Sequence, residues 1–581
     1  MTFDELARYL EKLEQVSGRL EMTRILAELF SKVDAQEGKV VAYLSGGKLG
    51  PKYDSPDTGV AEKQVIKSIK LLGESDVEKV FKQEGDLGKT VERIKQELND
   101  SDNKNSKSEI DDVYKNLLKI AQASGEGSQE EKIKLLSNLM DELSPREAKY
   151  VVKIILGKMR TGFSDMTVLD SLSWMIRGDK SLRNEIERVY NVRADLGEVV
   201  KLVKQSGEKI KNMTMTPDVG TPILVARAER AKSPAEIWER NGISAAEHKL
   251  DGLRIQAHVK KDQVKLFSRG LDNVTSMYPD IVDGLKNQVH KECILDGEMI
   301  AVDKNGRYLP FQETVQRKRK YDILEMMSKV PLKYYVFDLL LVESESLIDE
   351  PNEKRWKKLE QVVDKGEVVR LMPREIVRSE TEIEKFFRAS LKEGTEGIVV
   401  KKLDGVYRSG SRDFNWIKYK KSYDESGVAD TIDAVVMGYD VGQGKRSGFG
   451  IGGFLIGVQK GNSDKYLTIA KIGTGLTDEE WKELNARCLK IRTLNKLDSY
   501  EVTKQMECDV WVEPKIVVEI KCDEITKSPM HTAGYALRFP RLVEFREMKV
   551  EDIASEKEIE RLYKLQETDR QKGGGVSEDD V

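Results

Sequence analysis

The sequence predicts a multidomain protein with an all-α region, then an α+β region, then a small β-barrel. Its 581 residues are too many for one hydrophobic core and suggest about three or four domains. Apolar residues recur at helical spacing in the first third of the chain and at strand spacing from residue 253 onward. We therefore divide the chain into residues 1–212, 213–427 and 428–581.

The first region is predicted to be helical from the spacing of its apolar residues. One helix face is formed by Phe3, Leu6, Leu10 and Leu13. Residues 99–106 are polar and predict a loop between helices. Residues 213–222 contain two prolines and a glycine and predict the connection to the next region.

The middle region mixes strand and helix patterns. Residues 253–259 alternate apolar and polar, which is the period of a half-buried strand, and residues 260–263 predict a turn into a second strand. Residues 334–340 and 398–400 are apolar and predict buried strands, with a helix at residues 353–363 between them. This region is therefore α+β.

From about residue 428, short apolar runs alternate with glycine-rich turns, as in a small barrel. The clearest runs are residues 434–439, 453–458 and 516–520. A terminal helix is predicted near residues 551–567, before an acidic tail with the composition of a disordered segment.

Composition and charge indicate a globular protein that works inside the cell. Charged residues make up 34% of the chain, and the net charge is -4. This sum argues only weakly against a nucleic-acid partner, because phosphates respond to local basic patches. No apolar run reaches transmembrane length, residues 1–5 do not resemble a signal peptide, and the four cysteines form no C-x-x-C zinc motif. We expect a cytoplasmic protein with no membrane partner.

The most informative motif is Lys-Leu-Asp-Gly at residues 249–252. Lys249 is a potential nucleophile, but its reference pKa of about 10.4 must fall before the amine can attack phosphorus. Alone, the motif is weak, because K-x-D-G should occur by chance in roughly one of ten chains of this length. A lone lysine before Asp-Gly is usually a solvated turn residue.

Five further blocks follow the lysine motif in order. They are Ser268-Arg269-Gly270, Leu295-Asp296-Gly297-Glu298, Val336-Phe337-Asp338, Glu-Gly-Ile-Val-Val-Lys at residues 396–401 and Trp-Ile-Lys-Tyr-Lys at residues 416–420. The set offers a lysine nucleophile, an aromatic face for a base, carboxylates for Mg²⁺ and several cations. This inventory suits transfer of a nucleotidyl group, and the chain has no G-x-x-x-x-G-K-[ST] loop for a P-loop mode.

In their order, these blocks resemble the motifs of the covalent nucleotidyltransferases: ATP-dependent DNA ligases, RNA ligases and capping guanylyltransferases. The resemblance is closest to the archaeal and eukaryotic replicative type of ATP-dependent DNA ligase and covers nearly the whole chain. Residues 125–129 and 157–162 are similar to that type's DNA-binding domain, and residues 537–541, Arg546 and Lys549 to its last motif. The resemblance implies an all-α DNA-binding domain, an α+β nucleotidyltransferase (adenylation) domain and a β-barrel OB-fold domain.

The resemblance also implies roles for individual residues. Lys249 would carry AMP. The nucleotide would be bound by Glu247 and Phe337 at the adenine, by Arg254, Arg269 and Glu298 at the ribose and phosphates, and by Lys418, Arg412 and Lys420 at the α-phosphate. The metal ligands would be Glu298 and Glu396, with Asp338 as a further candidate. The cofactors would be ATP and Mg²⁺, which Mn²⁺ could replace.

The implied activity is sealing of nicks in double-stranded DNA during replication, repair, recombination and cell division. AMP would pass from ATP to Lys249 and then to the 5′-phosphate of the nick, where the 3′-hydroxyl would displace it. Arg546 and Lys549 would orient pyrophosphate when the barrel closes over the site. The enzyme would act as a monomer on nicked DNA at the nucleoid.

Other functions remain open at this stage. An RNA ligase or a capping guanylyltransferase is disfavoured by the helical region and by residues 538–541, and an NAD⁺-dependent ligase by the missing cysteine cluster. A non-catalytic DNA clamp is disfavoured by the intact Lys249, Glu298, Glu396 and Lys418.

Two features depart from the family pattern. Met548 stands where many relatives have aspartate. Residues 99–106 lack the glutamine-and-diphenylalanine motif with which some archaeal relatives bind a sliding clamp, so a clamp tether there is not predicted. The basic run at residues 317–320 lies outside the motifs and receives no role.

Overall fold

The computed structural model describes the chain except residues 74–75, 99–107, 262, 320–321, 421–430, 443–447, 462, 548–549 and 573–581. It confirms the predicted fold class, because a helical region, an α+β core and a strand-rich barrel follow one another along the chain. Among the described residues, no helix is long and apolar enough to cross a membrane. The predicted loop at residues 99–106 and the predicted tail lie outside the described residues.

The helical region packs around one continuous apolar core. Its helices are α1 (Phe3–Gln15), α2 (Arg19–Ser31), α3 (Ala35–Ser45), α4 (Glu62–Lys70), α5 (Val77–Glu84), α6 (Leu87–Leu98), α7 (Ile110–Gln122), α8 (Ser128–Glu142), α9 (Pro145–Ile155), α10 (Asp165–Arg177), α11 (Arg183–Val192) and α12 (Leu196–Ser206). Capping boxes begin α1, α3 and α9, where the side chains of Thr2, Asp34 and Ser144 accept backbone hydrogen bonds from three residues on. The predicted apolar face of α1 lies in the core.

The α+β core contains two sheets: six consecutive strands form one, and the strands before and after them in the chain form the other. Its strands are β1 (Arg227–Arg230), β2 (Ser244–Lys249), β3 (Leu253–Lys260), β4 (Gln263–Ser268), β5 (Cys293–Ala301), β6 (Leu332–Val342), β7 (Glu345–Ser346), β8 (Val369–Leu371), β9 (Arg374–Val377), β10 (Gly397–Lys402) and β11 (Arg412–Lys420). Its helices are α13 (Pro234–Asn241), α14 (Pro279–Gln288), α15 (Phe311–Gln316), α16 (Ile323–Lys329), α17 (Asn352–Val362) and α18 (Glu380–Lys392). The predicted strand pair from residue 253 and the helix near residues 353–363 are confirmed as β3, β4 and α17.

The two sheets bring the sequence motifs together. One sheet has the strand order β1-β11-β10-β2-β9, and the other has β4-β3-β5-β6-β7 with β8 paired to β6. They share an apolar cluster in which Phe337 on β6 lies edge-on to Trp416 on β11, with ring centroids 5.8 Å apart. Lys249 is paired with Gly397 across β2 and β10. The motif residues therefore lie on neighbouring strands around the junction of the sheets.

The third region is the predicted barrel. Its strands are β12 (Ile432–Val441), β13 (Ile451–Gln459), β14 (Tyr466–Ile472), β15 (Arg492–Thr493), β16 (Tyr500–Glu501), β17 (Val510–Val512), β18 (Val517–Lys521), β19 (Glu524–Lys527), β20 (Tyr535–Arg538) and β21 (Arg541–Arg546), with helices α19 (Asp478–Leu489) and α20 (Glu556–Lys572). The main strand order is β15-β17-β12-β13-β14-β16, and β18 joins β12 to β21. Helix α20 begins later than predicted, because Val550–Asp552 form a 3₁₀ turn and the Ser555 hydroxyl accepts a hydrogen bond from Glu558 N.

The helical region is joined to the core through buried polar contacts. Ala194 N donates to Pro222 O at 3.1 Å, and Gly220 N donates to His258 Nδ1 at 2.9 Å. Burial lowers the pKa of His258 to about 3, so this imidazole is neutral and can accept that bond. The connecting segment predicted at residues 213–222 is therefore anchored on β3.

Candidate active site

A cavity of about 890 Å³ lies at the junction of the two core sheets, with barrel residues forming part of its wall. The predicted residues Glu247, Lys249, Arg254, Arg269, Glu298, Phe337, Glu396, Arg412 and Lys418 line this cavity, whereas the further candidates Asp338 and Arg546 do not. These residues come from several strands of both sheets. The fold therefore gathers into one site a set that spans residues 247 to 418 in the sequence.

Lys249 is the last residue of β2 and forms an ion pair with Glu396. Lys420 Nζ lies 2.9 Å from the same Glu396 oxygen. Burial acts to lower the pKa of Lys249, but attraction to Glu396 outweighs it and the pKa is raised. The amine is therefore protonated in this arrangement, and it needs the Glu396 charge to be drawn elsewhere before it can act as a nucleophile.

The lysine motif and the glutamate motif each contain a glycine, Gly252 and Gly397, at a position with no room for a side chain. A Cβ built on Gly252 would lie 2.2 Å from Met299 O on β5. A Cβ on Gly397 would lie 2.2 Å from Tyr419 O, and the φ of Gly397 is 148°. Both glycines allow close strand packing beside the catalytic side chains.

The carboxylates of Glu396 and Glu298 differ in their readiness to ionise. Burial acts to raise the pKa of Glu396, but Lys249 and Lys420 lower it to about 2. Burial raises the pKa of Glu298 to about 7 despite the cations Lys249 and Arg254. Glu396 is therefore a permanent anion, whereas Glu298 gains its charge near neutral pH.

The donor set fits Mg²⁺ held mainly by substrate and water. The described part of the chain contains no group of three or more acidic, histidine or cysteine side chains that could hold a metal. Glu298 and Glu396 line the same cavity, and Mg²⁺ in nucleotide enzymes is commonly bound by one or two carboxylates, phosphates and waters. The further candidate Asp338 is instead buried in an ion pair with Arg355, at 2.7 and 3.0 Å.

One part of the cavity wall carries an excess of positive charge. Within the described residues, Arg269, Arg412 and Lys418 form no ion pair with a carboxylate. Burial and the nearby cations Lys420, Lys249, Arg412 and Arg269 lower the pKa of Lys418 to about 8. Such unmatched cations favour an anionic ligand.

A second part of the cavity wall is a matched ionic network beside aromatic side chains. Glu247 is buried, with Lys401 Nζ 2.7 Å from one oxygen and Arg374 Nη1 3.5 Å from the other. Lys401 Nζ also donates to Phe337 O at 2.9 Å and lies 4.3 Å from the ring centroid of Trp416. This part of the wall therefore combines paired charges with aromatic rings.

Arg254 is held more firmly than the sequence suggests. Its guanidinium donates to both oxygens of Asp296, at 3.1 and 2.7 Å, and to Ala226 O at 2.7 Å. The Tyr407 hydroxyl donates to Asp296 Oδ2 at 2.6 Å. Arg254 therefore meets a ligand with its orientation already set.

The barrel closes on the lysine motif through Arg538. Arg538 donates to both oxygens of Asp251, at 2.6 and 2.8 Å. The next residue, Phe539, is 56% exposed at the cavity and has a φ of 51°, a left-handed conformation that is uncommon for a bulky residue. Barrel residues 538–541 line the cavity together with Thr474, Gly475 and Asp523.

The predicted pyrophosphate contact Arg546 is not at this wall. Arg546 lies on β21, where its guanidinium contacts Glu544 at 2.9 Å, Glu519 at 3.1 Å and Asp433 at 3.4 Å. Lys549 and Met548 lie outside the described residues. An approach of Arg546 to the nucleotide therefore requires another orientation of the barrel.

Several residues that shape the site were missed by the sequence analysis. Lys401 could have been found, because alternation along a strand places it on the same side of β10 as Gly397 and Val399. Tyr407 and the Asp251–Arg538 pair carry no local signal. In the basic run at residues 317–320, Lys318 lines the cavity and Arg317 is buried against Asp280.

Comparison with known proteins gives a consistent result along the chain. Three family models match: the DNA ligase N terminus at residues 2–173, the ATP dependent DNA ligase domain at residues 225–420, and the ATP dependent DNA ligase C terminal region at residues 447–549.

Similar proteins match over almost their whole length. A probable DNA ligase of Dictyoglomus turgidum is 42% identical over 98% of this chain and 99% of its own. A DNA ligase of Sulfurisphaera tokodaii is 39% identical over 97% of this chain and 98% of its own. The solved structure Pmar-Lig_PreS3 is 17% identical, covers 94% of this chain and 99% of its own, and has a TM-score of 0.53, which is a likeness of fold.

Proposed function

The chain belongs to the ATP-dependent DNA ligases, enzymes that seal nicks in DNA, and we propose that it works through AMP carried on Lys249. Roles in replication and repair are typical of this family. The observation that carries the proposal is the position of Lys249. Its amine lies in a cavity with a permanent carboxylate, a second carboxylate and several unmatched cations.

In the first step, Lys249 Nζ attacks the α-phosphorus of ATP. An N–P bond forms, the bond from the α-phosphorus to the bridging oxygen breaks, and pyrophosphate leaves. Lys418 and Arg412 stabilise the charge on the α-phosphate, and the amine proton is lost to solvent or to a carboxylate. A Mg²⁺ ion held by Glu298 and Glu396 would add positive charge to the phosphates.

In this step Lys249 must exchange its ion pair for the nucleotide. If the charge of Glu396 is drawn to the phosphate side, its attraction for Lys249 weakens, and the burial that acts to lower the pKa of the amine is no longer outweighed. Glu396 therefore keeps the Lys249 amine protonated and unreactive until ATP binds.

At the base end, we propose that Glu247 and Phe337 receive the adenine, the first by a polar contact and the second by stacking. Arg254 and Arg269 serve the ribose and phosphates. The matched network around Glu247 supports this role, because a rigid acceptor selects a base better than a mobile one.

In the later steps, an oxygen of the 5′-phosphate at the nick attacks the phosphorus of AMP, and the N–P bond to Lys249 breaks. The 3′-hydroxyl then attacks the 5′-phosphorus and AMP leaves. We propose that the barrel orientation with Arg538 on Asp251 serves these steps. Arg546 and Lys549 would act in the first step, with the barrel turned.

We propose that the three regions defined from the sequence are the functional domains. Residues 1–212 would bind DNA, residues 213–427 would carry out adenylation, and residues 428–581 would form the mobile barrel. The partner is nicked double-stranded DNA, bound by a monomer mainly through phosphates, so affinity should fall steeply with salt. Because the substrate is DNA, we place the enzyme at the nucleoid. A sliding clamp is a further candidate partner, although the motif by which some archaeal relatives bind it is not seen at residues 99–106.

The test uses the full chain with Mg²⁺ and ATP, GTP or NAD⁺, followed by mass spectrometry of the intact protein and of its peptides. We expect one AMP-sized adduct from ATP, mapped to Lys249. An adduct that persists in Lys249→Ala, or none with any nucleotide, would refute the lysyl-AMP mechanism. A GMP adduct would favour capping chemistry, and sealing of RNA rather than DNA nicks an RNA ligase.

A further inference from the structure

Lys52 brings a positive charge from the helical region to the edge of the active-site cavity. A Cβ built on Gly270, which lines the cavity, would lie 3.8 Å from Lys52 Nζ. The Lys52 side chain is exposed and, among the described residues, has no carboxylate partner. Arg269, beside Gly270, has none either. Two unmatched cations from different domains therefore border the same turn.

The position of Lys52 is set by its neighbour Tyr53. The Tyr53 ring lies edge-on to Phe267, with centroids 5.9 Å apart, and its hydroxyl donates to Asp195 Oδ2 at 3.4 Å. Asp195 also accepts a hydrogen bond from the Tyr43 hydroxyl at 2.7 Å. Phe267 belongs to β4, the strand that leads directly to Arg269. The segment with Lys52 is thus docked on the strand that supplies the second cation.

The turn between the two cations is exposed and carries one carboxylate, since a Cβ on Gly270 would lie 3.2 Å from Asp272 Oδ2. Ser268 Oγ accepts hydrogen bonds from Gly270 N at 3.2 Å and Asp272 N at 3.1 Å. The Asp272 carboxylate is engaged by the same hydroxyl at 3.1 Å. Gly270 presents no side chain, so a phosphate can come close to the turn and to both cations.

We infer that Lys52 and Arg269 form a two-domain subsite for one backbone phosphate of the nicked DNA substrate. This inference rests on the proposed function, since it requires DNA at the cavity. Lys52 takes no part in transfer of AMP from ATP to Lys249, which needs no DNA. It positions the nicked strand at the cavity edge and ties DNA binding by the helical domain to the adenylation core.

The test compares Lys52→Ala, Lys52→Glu and Lys52→Arg in the full chain. The control is Lys79→Ala, an exposed lysine of α5, which packs against α4 and α6. Affinity for nicked duplex DNA is measured across a salt series, with adenylation by ATP alone and single-turnover sealing beside it. Losing one phosphate contact should flatten the slope of log affinity against log salt by about one unit.

We expect Lys52→Ala to weaken nicked-DNA binding by about tenfold at moderate salt and to slow sealing, while adenylation stays within about twofold. Lys52→Glu should be worse, and Lys52→Arg should restore the wild-type slope. In a double-mutant cycle with Arg269→Ala, the two losses in DNA affinity should be less than additive, because both cations hold one phosphate.

Two results would overturn the inference: a Lys52→Ala salt slope equal to that of the wild type and of Lys79→Ala, or an equal loss in adenylation without DNA. Fully additive losses with Arg269→Ala would exclude a shared phosphate. Failure of the wild type to form an adduct on Lys249 would instead refute the proposed function, so the two failures are distinguishable.

Discussion

Two parts of the active-site cavity wall handle charge in opposite ways: the part around Glu247, which we call the base end, and the part around Arg412 and Lys418, which we call the phosphate end. At the base end, Glu247 and Lys401 are both about 2% exposed and lie 2.7 Å apart, with Arg374 at the other glutamate oxygen. At the phosphate end, Arg412 and Lys418 face the cavity without a carboxylate partner among the described residues. Matched charges give a fixed shape, whereas unmatched cations attract an anion.

Lys249 has features of both parts of the wall. Its ion pair with Glu396 matches its charge, as at the base end, yet Glu396 is shared with Lys420 and lines the open cavity. This shared carboxylate lets the lysine pass from a matched to a reactive state. The contrast predicts that changes at the phosphate end alter catalysis, whereas changes at the base end alter stability and fit.

The largest effect is expected from Lys249→Ala, which removes the proposed nucleophile. No AMP adduct should form, and sealing with ATP should fall to background. A nick that already carries AMP on its 5′-phosphate should still be sealed, because that step does not use the amine. Gel assays on both substrates measure this. The control is Lys402→Ala, at the residue next to Lys401 on β10, and it should keep both activities. Loss of sealing on the adenylated nick in Lys249→Ala would contradict the proposed lysyl-AMP mechanism.

Glu396→Gln should cause the next largest loss by removing the carboxylate shared by Lys249 and Lys420. Adenylation should slow by about 10²–10³-fold, the usual cost of one preorganised charged group. The Mg²⁺ concentration for half-maximal rate should rise if this carboxylate also serves the metal. The control is Glu393→Gln, whose side chain is 58% exposed. A rate within threefold of wild type would show that Glu396 is dispensable.

The third prediction tests the contrast directly with two lysine-to-methionine changes. Lys401→Met leaves the buried Glu247 without its close partner and should lower the free energy of unfolding by roughly 3–5 kcal/mol. Lys418→Met removes a cation repelled by its neighbours and should change stability by less than about 1 kcal/mol. Urea unfolding of both variants measures this. Equal destabilisation would mean that the two ends do not differ as described.

Much of this architecture could be predicted from the sequence, because both of its signals are local. Periodicity identified the helices of the first region and the strands β3 and β12. The ordered motifs identified residues that the fold gathers around one cavity, including Lys249, Glu298 and Lys418. Alternation along β10 also contains the signal for Lys401.

The remaining features depend on contacts between distant segments. Asp251 and Arg538 are 287 positions apart, and no local pattern joins them. The sequence also does not specify the orientation of the barrel, so Arg546 was predicted at the nucleotide and is found among barrel carboxylates. Asp338 was predicted as a metal candidate, but both of its oxygens accept hydrogen bonds from Arg355, an interaction that no local pattern indicates.

A smaller effect is expected from Arg538→Ala, which removes the barrel contact to Asp251. Charge-assisted pairs of this kind contribute about 1.5–3 kcal/mol, less where solvent reaches them, so sealing should fall by about tenfold. Adenylation should be nearly unchanged, because the first step needs another barrel orientation. Single-turnover rates for the two steps measure this, with Lys515→Ala on the barrel surface as control. An equal loss in both steps would mean that Arg538 acts on the nucleotide.

The smallest effect concerns pH and the phosphate end alone. The pKa of Lys418 is about 8, so the side chain is charged below pH 8 and loses its charge as pH rises through that value. Arginine stays charged throughout this range. We therefore consider the ratio of kcat/KM for adenylation in Lys418→Arg to that in the wild type. This ratio should rise by up to about tenfold between pH 7 and 9, whether or not the variant is slower at pH 7. The same ratio for kcat should change less, because bound phosphate holds the lysine proton. In the control Lys402→Arg, both ratios should be independent of pH. A kcat/KM ratio that is independent of pH in Lys418→Arg would mean that Lys418 keeps its charge without help from the substrate.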